Sequence, residues 1–177
     1  VLQELAGAQA FVMNGDVGVI SSGGKGQYLY TDSRWRPCLV DRVLHDGDKV
    51  PVGATTLVAR RTAGHTRGCT TWTCQVTEGD RQLDVVVVGS PNVNPGFQLV
   101  NNADYPEIAD DYAQGFAVLK KLPCDVFLGA HGKYYGLLAK YEKRANSKPN
   151  PFIDPKGYRA YITERETAFR RTLAEQR

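Results

Sequence analysis

The chain has 177 residues, of which 42% are hydrophobic and 23% are charged, and its formal net charge is +3. These values are ordinary for a globular protein, and the length is enough to bury one sizeable core. The lysines and arginines are scattered, and no apolar run approaches the length of a membrane span. Composition therefore argues against a protein that binds nucleic acid or crosses a membrane.

The first part of the chain is predicted to consist of short elements and long loops. In order these are a helix end at 1–6, a strand at 8–13, a turn at 14–16, a long glycine-rich loop with a short helical piece at 17–36, a strand at 40–44 and a tight turn at 45–48. The loop at 17–36 carries Tyr28, Tyr30 and Trp35, and is either a mobile surface connection or a wall of a substrate groove. His45 is interpreted as a solvated turn residue without a role in a site.

Longer and more regular elements follow. They are strands at 55–61 and 69–77, a hairpin turn at 78–80, a strand at 83–89, an irregular loop at 91–96, a helix at 104–122 with Pro106 in its first turn, a strand at 125–128, a helix at 134–144 and a last helix from Asp154 to about residue 175. Four valines at 85–88 predict a strand buried on both faces. Strands that alternate with amphipathic helices indicate an α/β layered domain.

The four cysteines, Cys38, Cys69, Cys74 and Cys124, do not have the spacing of a zinc ribbon. In a continuous strand Cys69 and Cys74 would face opposite sides and lie about 16 Å apart, which is too far for a disulfide. We therefore expect Cys69 to be a buried free thiol.

Two of the three histidines lie in glycine-flanked loops next to strands. His65 has Gly64 before it and Gly68 three residues after it, and His131 lies between Ala130 and Gly132 at the end of a short apolar strand. Glycines let the backbone turn tightly, and imidazole is the commonest transition-metal ligand in proteins. Ligands from distant sequence positions that meet at strand ends are typical of a catalytic metal site, although each histidine alone could be an ordinary loop residue.

Four separated motifs resemble those of the metallo-β-lactamases, specifically their third subclass. They are Gly64–Thr73, the segment from Gly89-Ser90 to Phe97, Leu122–Gly132, and Asn150–Pro155. The family's signature His-x-His-x-Asp-His, which supplies four of its six zinc ligands, is absent. The sequence is therefore expected to be the C-terminal portion of such an enzyme, beginning just after that segment, and to be inactive by itself.

The resemblance implies one domain over 1–177, with 1–77 as the remainder of its first half and 78–177 as its second half. It implies an αββα four-layer sandwich, N-terminally incomplete, with the site at one edge between two sheets. It implies periplasmic localisation, although the disulfide that several relatives form with the cysteine matching Cys124 cannot form, because Tyr158 occupies the region of its partner.

The resemblance also assigns roles to residues. His65 and His131 would each bind one of two zinc ions, and a zinc-bound hydroxide would open the β-lactam ring of an antibiotic and so confer resistance. Ser90 would orient a zinc-bound water or the substrate carboxylate by hydrogen bonding, and Asn92, less clearly, would contact the substrate carboxylate; by spacing alone both are turn residues. No residue of the chain is assigned as a catalytic acid or base.

Two other functions remain open. The chain could belong to another hydrolase of the same fold, such as a lactonase or a thioester hydrolase. Those enzymes usually have an aspartate that bridges both metals where Ser90 stands, which argues against them. It could instead be an inactive, metal-free structural or binding module, as the missing zinc-ligand motif favours and the two histidine loops disfavour.

Overall fold

The computed structural model describes residues 2–28, 34–148 and 150–177. Its elements are α1 (Leu2–Ala6), β1 (Phe11–Met13), a 3-10 helix (Asn14–Asp16), α2 (Val17–Ser21), β2 (Arg42–Leu44), β3 (Lys49–Val52), β4 (Thr55–Arg61), β5 (Thr70–Glu78), β6 (Arg81–Val88), α3 (Ile108–Lys121), β7 (Val126–Gly129), a second 3-10 helix (Gly132–Tyr134), α4 (Leu137–Lys143) and α5 (Pro155–Gln176). The predicted helix start at Val1 and the loop residue Tyr30 lie outside the described residues.

The larger of two sheets has five strands in the order β3-β4-β5-β6-β7. Neighbouring strands of this sheet are antiparallel except for β6 and β7, which run parallel, with Val88 opposite Gly129. Val86 and Val88 of β6 pack with the apolar stripes of α3 and α5 in the main core. Burial of β6 at Val85, Val86 and Val88 confirms the strand predicted from the valine run.

The smaller sheet pairs β1 with β2 in parallel. Its buried residues Met13 and Leu44 pack with Val50 and Ala59 of the larger sheet, in a second cluster that Trp72 also contacts. Core therefore lies between two sheets as well as between sheet and helices, and the predicted α/β layered class is confirmed. No helix in the described part of the chain is long and apolar enough to cross a membrane.

Several element boundaries differ from the predictions. Strand β3 was not predicted, because it is short and contains Pro51; at the sheet edge proline removes no ladder hydrogen bond. Helix α3 begins at Ile108 rather than 104, so placing Pro106 in its first turn was wrong: the Asn102 side chain accepts from the backbone N–H groups of Asp104 and Tyr105 and holds a turn there. Helix α4 begins at Leu137, after Gly136 in the left-handed region.

Candidate functional site

Two of the predicted site residues follow strands that end at the same end of the larger sheet. Ser90 follows β6 and His131 follows β7, and the N–H of Ala130 donates to the carbonyl of Val88 over 2.9 Å. Because β6 and β7 are parallel, their carboxyl ends lie side by side. The topology therefore brings Ser90 and His131 together although 41 positions separate them.

The loop that carries His65 joins β4 to β5 at this same end of the strands. Trp72 near the start of β5 pairs with Val87 near the end of β6. The backbone N–H of Ser90 donates to the Cys69 sulfur over 3.2 Å, and the Cys69 thiol donates to the Ser90 carbonyl over 3.6 Å. Burial raises the pKa of Cys69 to about 11, so this thiol stays protonated, and the expectation of a buried free thiol is confirmed.

Asp16 holds the His65 loop in place. Its carboxylate accepts from the Thr66 hydroxyl over 2.6 Å and from the Gly68 backbone N–H over 2.8 Å. A Cβ on Gly68 would lie 2.7 Å from the Asp16 carboxyl carbon, so glycine is needed for this approach. Sequence reasoning missed Asp16, because a turn motif gives no sign of a partner 50 residues away.

Gly64 shapes the other side of the loop. Its φ of +130° is strained for residues with a side chain, and an added Cβ would lie 2.5 Å from the Tyr112 ring. Tyr112 packs here from α3, and its hydroxyl donates to the Asn92 carbonyl over 2.7 Å. Burial raises the pKa of Tyr112, so the phenol remains a hydrogen-bond donor.

The His65 ring has a defined orientation. It stacks on Phe97 with ring centroids 5.4 Å apart, and Nδ1 lies 3.1 Å from the Asn92 carbonyl oxygen. A carbonyl oxygen only accepts, so Nδ1 carries the proton and Nε2 keeps a free lone pair. Metal-binding histidines usually have such a hydrogen bond on the nitrogen that does not bind metal. The geometry therefore fits His65 as a ligand through Nε2.

Tyr134 connects the remaining predicted residues. Its ring lies edge-on to His131 at a centroid distance of 5.1 Å and stacks on Tyr161 at 5.2 Å. Its hydroxyl accepts from the Asn92 side-chain amide over 2.8 Å and lies 3.4 Å from Ser90 Oγ. Sequence reasoning treated Tyr134 only as the start of a helix, since an aromatic residue there more often packs in a core.

The structure thus joins His65 and His131 through only two intervening residues, Asn92 and Tyr134. His131 is exposed. Within residues 2–28, 34–148 and 150–177, no three or more histidine, cysteine, aspartate or glutamate side chains form a group that could hold a metal. The two imidazoles are therefore at most part of a ligand set, and the metal and substrate roles of the predicted residues stay predictions.

A cleft of about 510 Å³ opens beside Asn92. Its polar lining includes Lys133, Tyr134, Glu164 and Arg165. Arg165 pairs with Glu164, and its Nη1 donates to the Asn92 side-chain oxygen over 3.4 Å. A cationic side chain therefore lies next to the strand ends that carry Ser90 and His131.

No family model matches the chain. Solved structures with closely similar folds include three enzymes from different sources. The native FEZ-1 metallo-β-lactamase from Legionella gormanii matches with a TM-score of 0.96 and 42% identity, over 99% of this chain and 68% of that one. The subclass B3 enzyme BJP-1 from Bradyrhizobium japonicum matches with a TM-score of 0.90 and 35% identity, over 99% and 66%.

The class B3 di-zinc enzyme LRA-12 from an Alaskan soil metagenome matches with a TM-score of 0.88 and 26% identity, over 96% of this chain and 65% of that one. The chain thus spans about two thirds of the length of these enzymes. The similarity covers nearly all of its residues and confirms the sandwich fold expected from the four motifs.

Proposed function

This chain belongs to the class B3 metallo-β-lactamases, and from that membership we propose that it forms part of a zinc-dependent enzyme that hydrolyses the amide bond of β-lactam antibiotics. The observation that carries the proposal is the connection of His65 to His131 through Asn92 and Tyr134. The two imidazoles are 66 positions apart in the sequence, and both lie in loops at the same end of the strands of the larger sheet, as a ligand set drawn from separate loops requires.

His65 and His131 are the residues that would hold zinc. Their chemistry fits, because His65 keeps Nε2 free and His131 is exposed next to Ser90 and Tyr134. Bound zinc lowers the pKa of its water to near neutrality and polarises carbonyl groups. LRA-12 is a di-zinc enzyme, which supports two ions here.

Two imidazoles are too few for a catalytic site, which needs about three protein ligands on one metal. We therefore propose that the other ligands come from a segment outside these 177 residues. The matched enzymes are about half as long again as the matched region, which leaves room for such a segment.

The chain's own residues would bind and orient the substrate. Ser90, in the loop directly after β6, would donate a hydrogen bond to the substrate. Lys133 and Arg165 line the adjacent cleft together with Glu164, which pairs with Arg165, so Lys133 would supply the charge that favours an anionic ligand such as a carboxylate. Phe97 and Asn92 hold the His65 ring, and so they would set the direction of Nε2.

The test uses the protein expressed from its full reading frame. We expect it to hydrolyse a chromogenic cephalosporin and to lose this activity on exhaustive chelation. His65→Ala and His131→Ala should each reduce the bound zinc, measured by atomic absorption, and cut turnover more than 100-fold. The matched control is His45→Ala, because His45 is exposed in a turn and is bonded through its backbone to Asp48. Activity that survives complete zinc removal would reject the proposal.

Antibiotic resistance and a periplasmic location follow from the same proposal. Resistance would appear as a raised inhibitory concentration in a susceptible bacterium, and the location as activity released with the periplasmic fraction. A lactonase would instead hydrolyse lactones, and a thioester hydrolase thioesters, faster than any β-lactam. Assaying the three substrate classes side by side therefore distinguishes these enzymes from a β-lactamase.

A further inference from the structure

A chain of hydrogen bonds starts at Arg165 and ends at Ser90. Arg165 Nη1 contacts Asn92 Oδ1 at 3.4 Å, Asn92 Nδ2 contacts the Tyr134 hydroxyl at 2.8 Å, and that hydroxyl lies 3.4 Å from Ser90 Oγ. The four side chains come from the loop after β6, which holds Ser90 and Asn92, from the second 3-10 helix, which holds Tyr134, and from α5, which holds Arg165.

The chemistry of these groups sets the direction of the two bonds that Asn92 makes. A guanidinium only donates, so Asn92 must turn its oxygen towards Arg165 and its NH2 group towards Tyr134. The NH2 group also only donates, so the Tyr134 oxygen is the acceptor and its own proton is free to donate to Ser90 Oγ. When the Tyr134 proton is donated to Ser90 Oγ, the Ser90 proton is left for another acceptor.

We propose that Arg165, Asn92 and Tyr134 act as positioning residues that preset Ser90 as a hydrogen-bond donor to an anionic oxygen of the substrate, such as a carboxylate. This inference rests on the proposed function. It gives Asn92 an indirect role, because both ends of its side-chain amide are already bonded within the protein.

The packing around Tyr134 lets one atom be removed cleanly. We call the hydrogen bonds from Arg165 through Asn92 and Tyr134 to Ser90 the relay. In Tyr134→Phe the ring can keep its stacking on Tyr161 and its edge contact with His131, while the relay loses the Tyr134 hydroxyl. Tyr135→Phe is the matched control, since the neighbouring ring packs on Phe127 and Phe152 and takes no part in the relay.

The kinetic test compares a β-lactam that has a free carboxylate with its methyl ester. Without the Tyr134 hydroxyl, Ser90 is no longer held as a donor, and its hydrogen bond to the charged carboxylate is lost. Tyr134→Phe should therefore raise KM for the acid about tenfold, with kcat changed less than about twofold. KM for the ester should stay unchanged. Arg165→Met should also raise KM for the acid. In Arg165→Lys, which keeps a donor, KM should lie between the values of Arg165→Met and the parent protein. An equal KM for acid in Tyr134→Phe and the parent protein would overturn the relay.

A second measurement is independent of activity. In ¹H–¹⁵N spectra the side-chain NH2 signals of Asn92, assigned with Asn92→Asp, should move in Tyr134→Phe and Arg165→Met but not in Tyr135→Phe. Unmoved signals would overturn the relay even in an active enzyme. If the parent protein hydrolyses no β-lactam, the proposed function fails while these spectra still decide whether the relay exists.

Discussion

The imidazole of His65 is oriented by the backbone of Asn92, through a 3.1 Å contact between Nδ1 and the carbonyl oxygen. The acceptor is a main-chain atom, so the ring direction depends on the path of the loop after β6 rather than on the side chain at position 92. Tyr112 donates to the same oxygen and ties that loop to α3. The helix, the loop after β6 and the His65 loop therefore form one rigid support.

Replacing Gly64 by alanine tests the shape of the His65 loop. The new side chain would combine a φ of +130° with a Cβ 2.5 Å from the Tyr112 ring. We expect the free energy of unfolding to fall by roughly 3 kcal/mol, from strain and overpacking together. Gly79→Ala is the control, because Gly79 has a φ of +62° but open space around it, and should cost about 1 kcal/mol. Equal losses in urea unfolding would contradict the clash.

Asp16→Asn tests the anchor of the same loop. The amide keeps the shape, and its oxygen can still accept from the Gly68 N–H. Its NH2 group would then face the Thr66 hydroxyl, which must turn its own proton away, and the negative charge that strengthened both bonds is lost. We expect a loss of about 2 kcal/mol of unfolding free energy and weaker zinc retention in competition with a chelator. Asp80→Asn, in the exposed hairpin turn, should change neither quantity.

Glu166 on α5 predicts a pH-dependent contribution to stability. The hydrogen bond from Lys120 of α3, helped by Arg170 and opposed by burial, lowers the pKa of its carboxyl group. A lowered pKa in the folded state adds stability above the ordinary glutamate range, and this stability is lost as the pH falls through the folded-state pKa.

Glu166→Gln should therefore reduce the free energy of unfolding at pH 7 by up to about 1 kcal/mol, since both cationic partners are partly exposed. Stability curves of the parent and the variant should converge in acid, where the parent carboxyl group is also neutral. A difference that persists unchanged at low pH would contradict this account.

Cys69 should be chemically inert in the folded protein. Its thiol is buried, with a pKa raised to about 11, and the reactive form is the thiolate. Alkylation at pH 8 followed by mass mapping should label Cys69 much more slowly in the native protein than in urea. Equal rates in the two states would show that the loop opens freely.

Local sequence patterns predicted most of the secondary structure. The valine run predicted β6 as a buried strand, because burial on both faces leaves a continuous apolar run that can be read along one segment. Boundaries differed from the predictions where a capping side chain or a left-handed glycine sets the start of an element, as Asn102 and Gly136 do.

His65, Ser90, Asn92 and His131 could be named as candidates from glycine-flanked loops and from the family resemblance, since these are local features of the sequence. Only the tertiary structure decided how they connect. The parallel pairing of β6 with β7 placed Ser90 beside His131. Asp16, Tyr134 and Arg165, from other parts of the chain, make hydrogen bonds with residues of the site and its loops. Such contacts depend on how segments far apart in the chain fold against one another, and no short stretch of sequence carries that information.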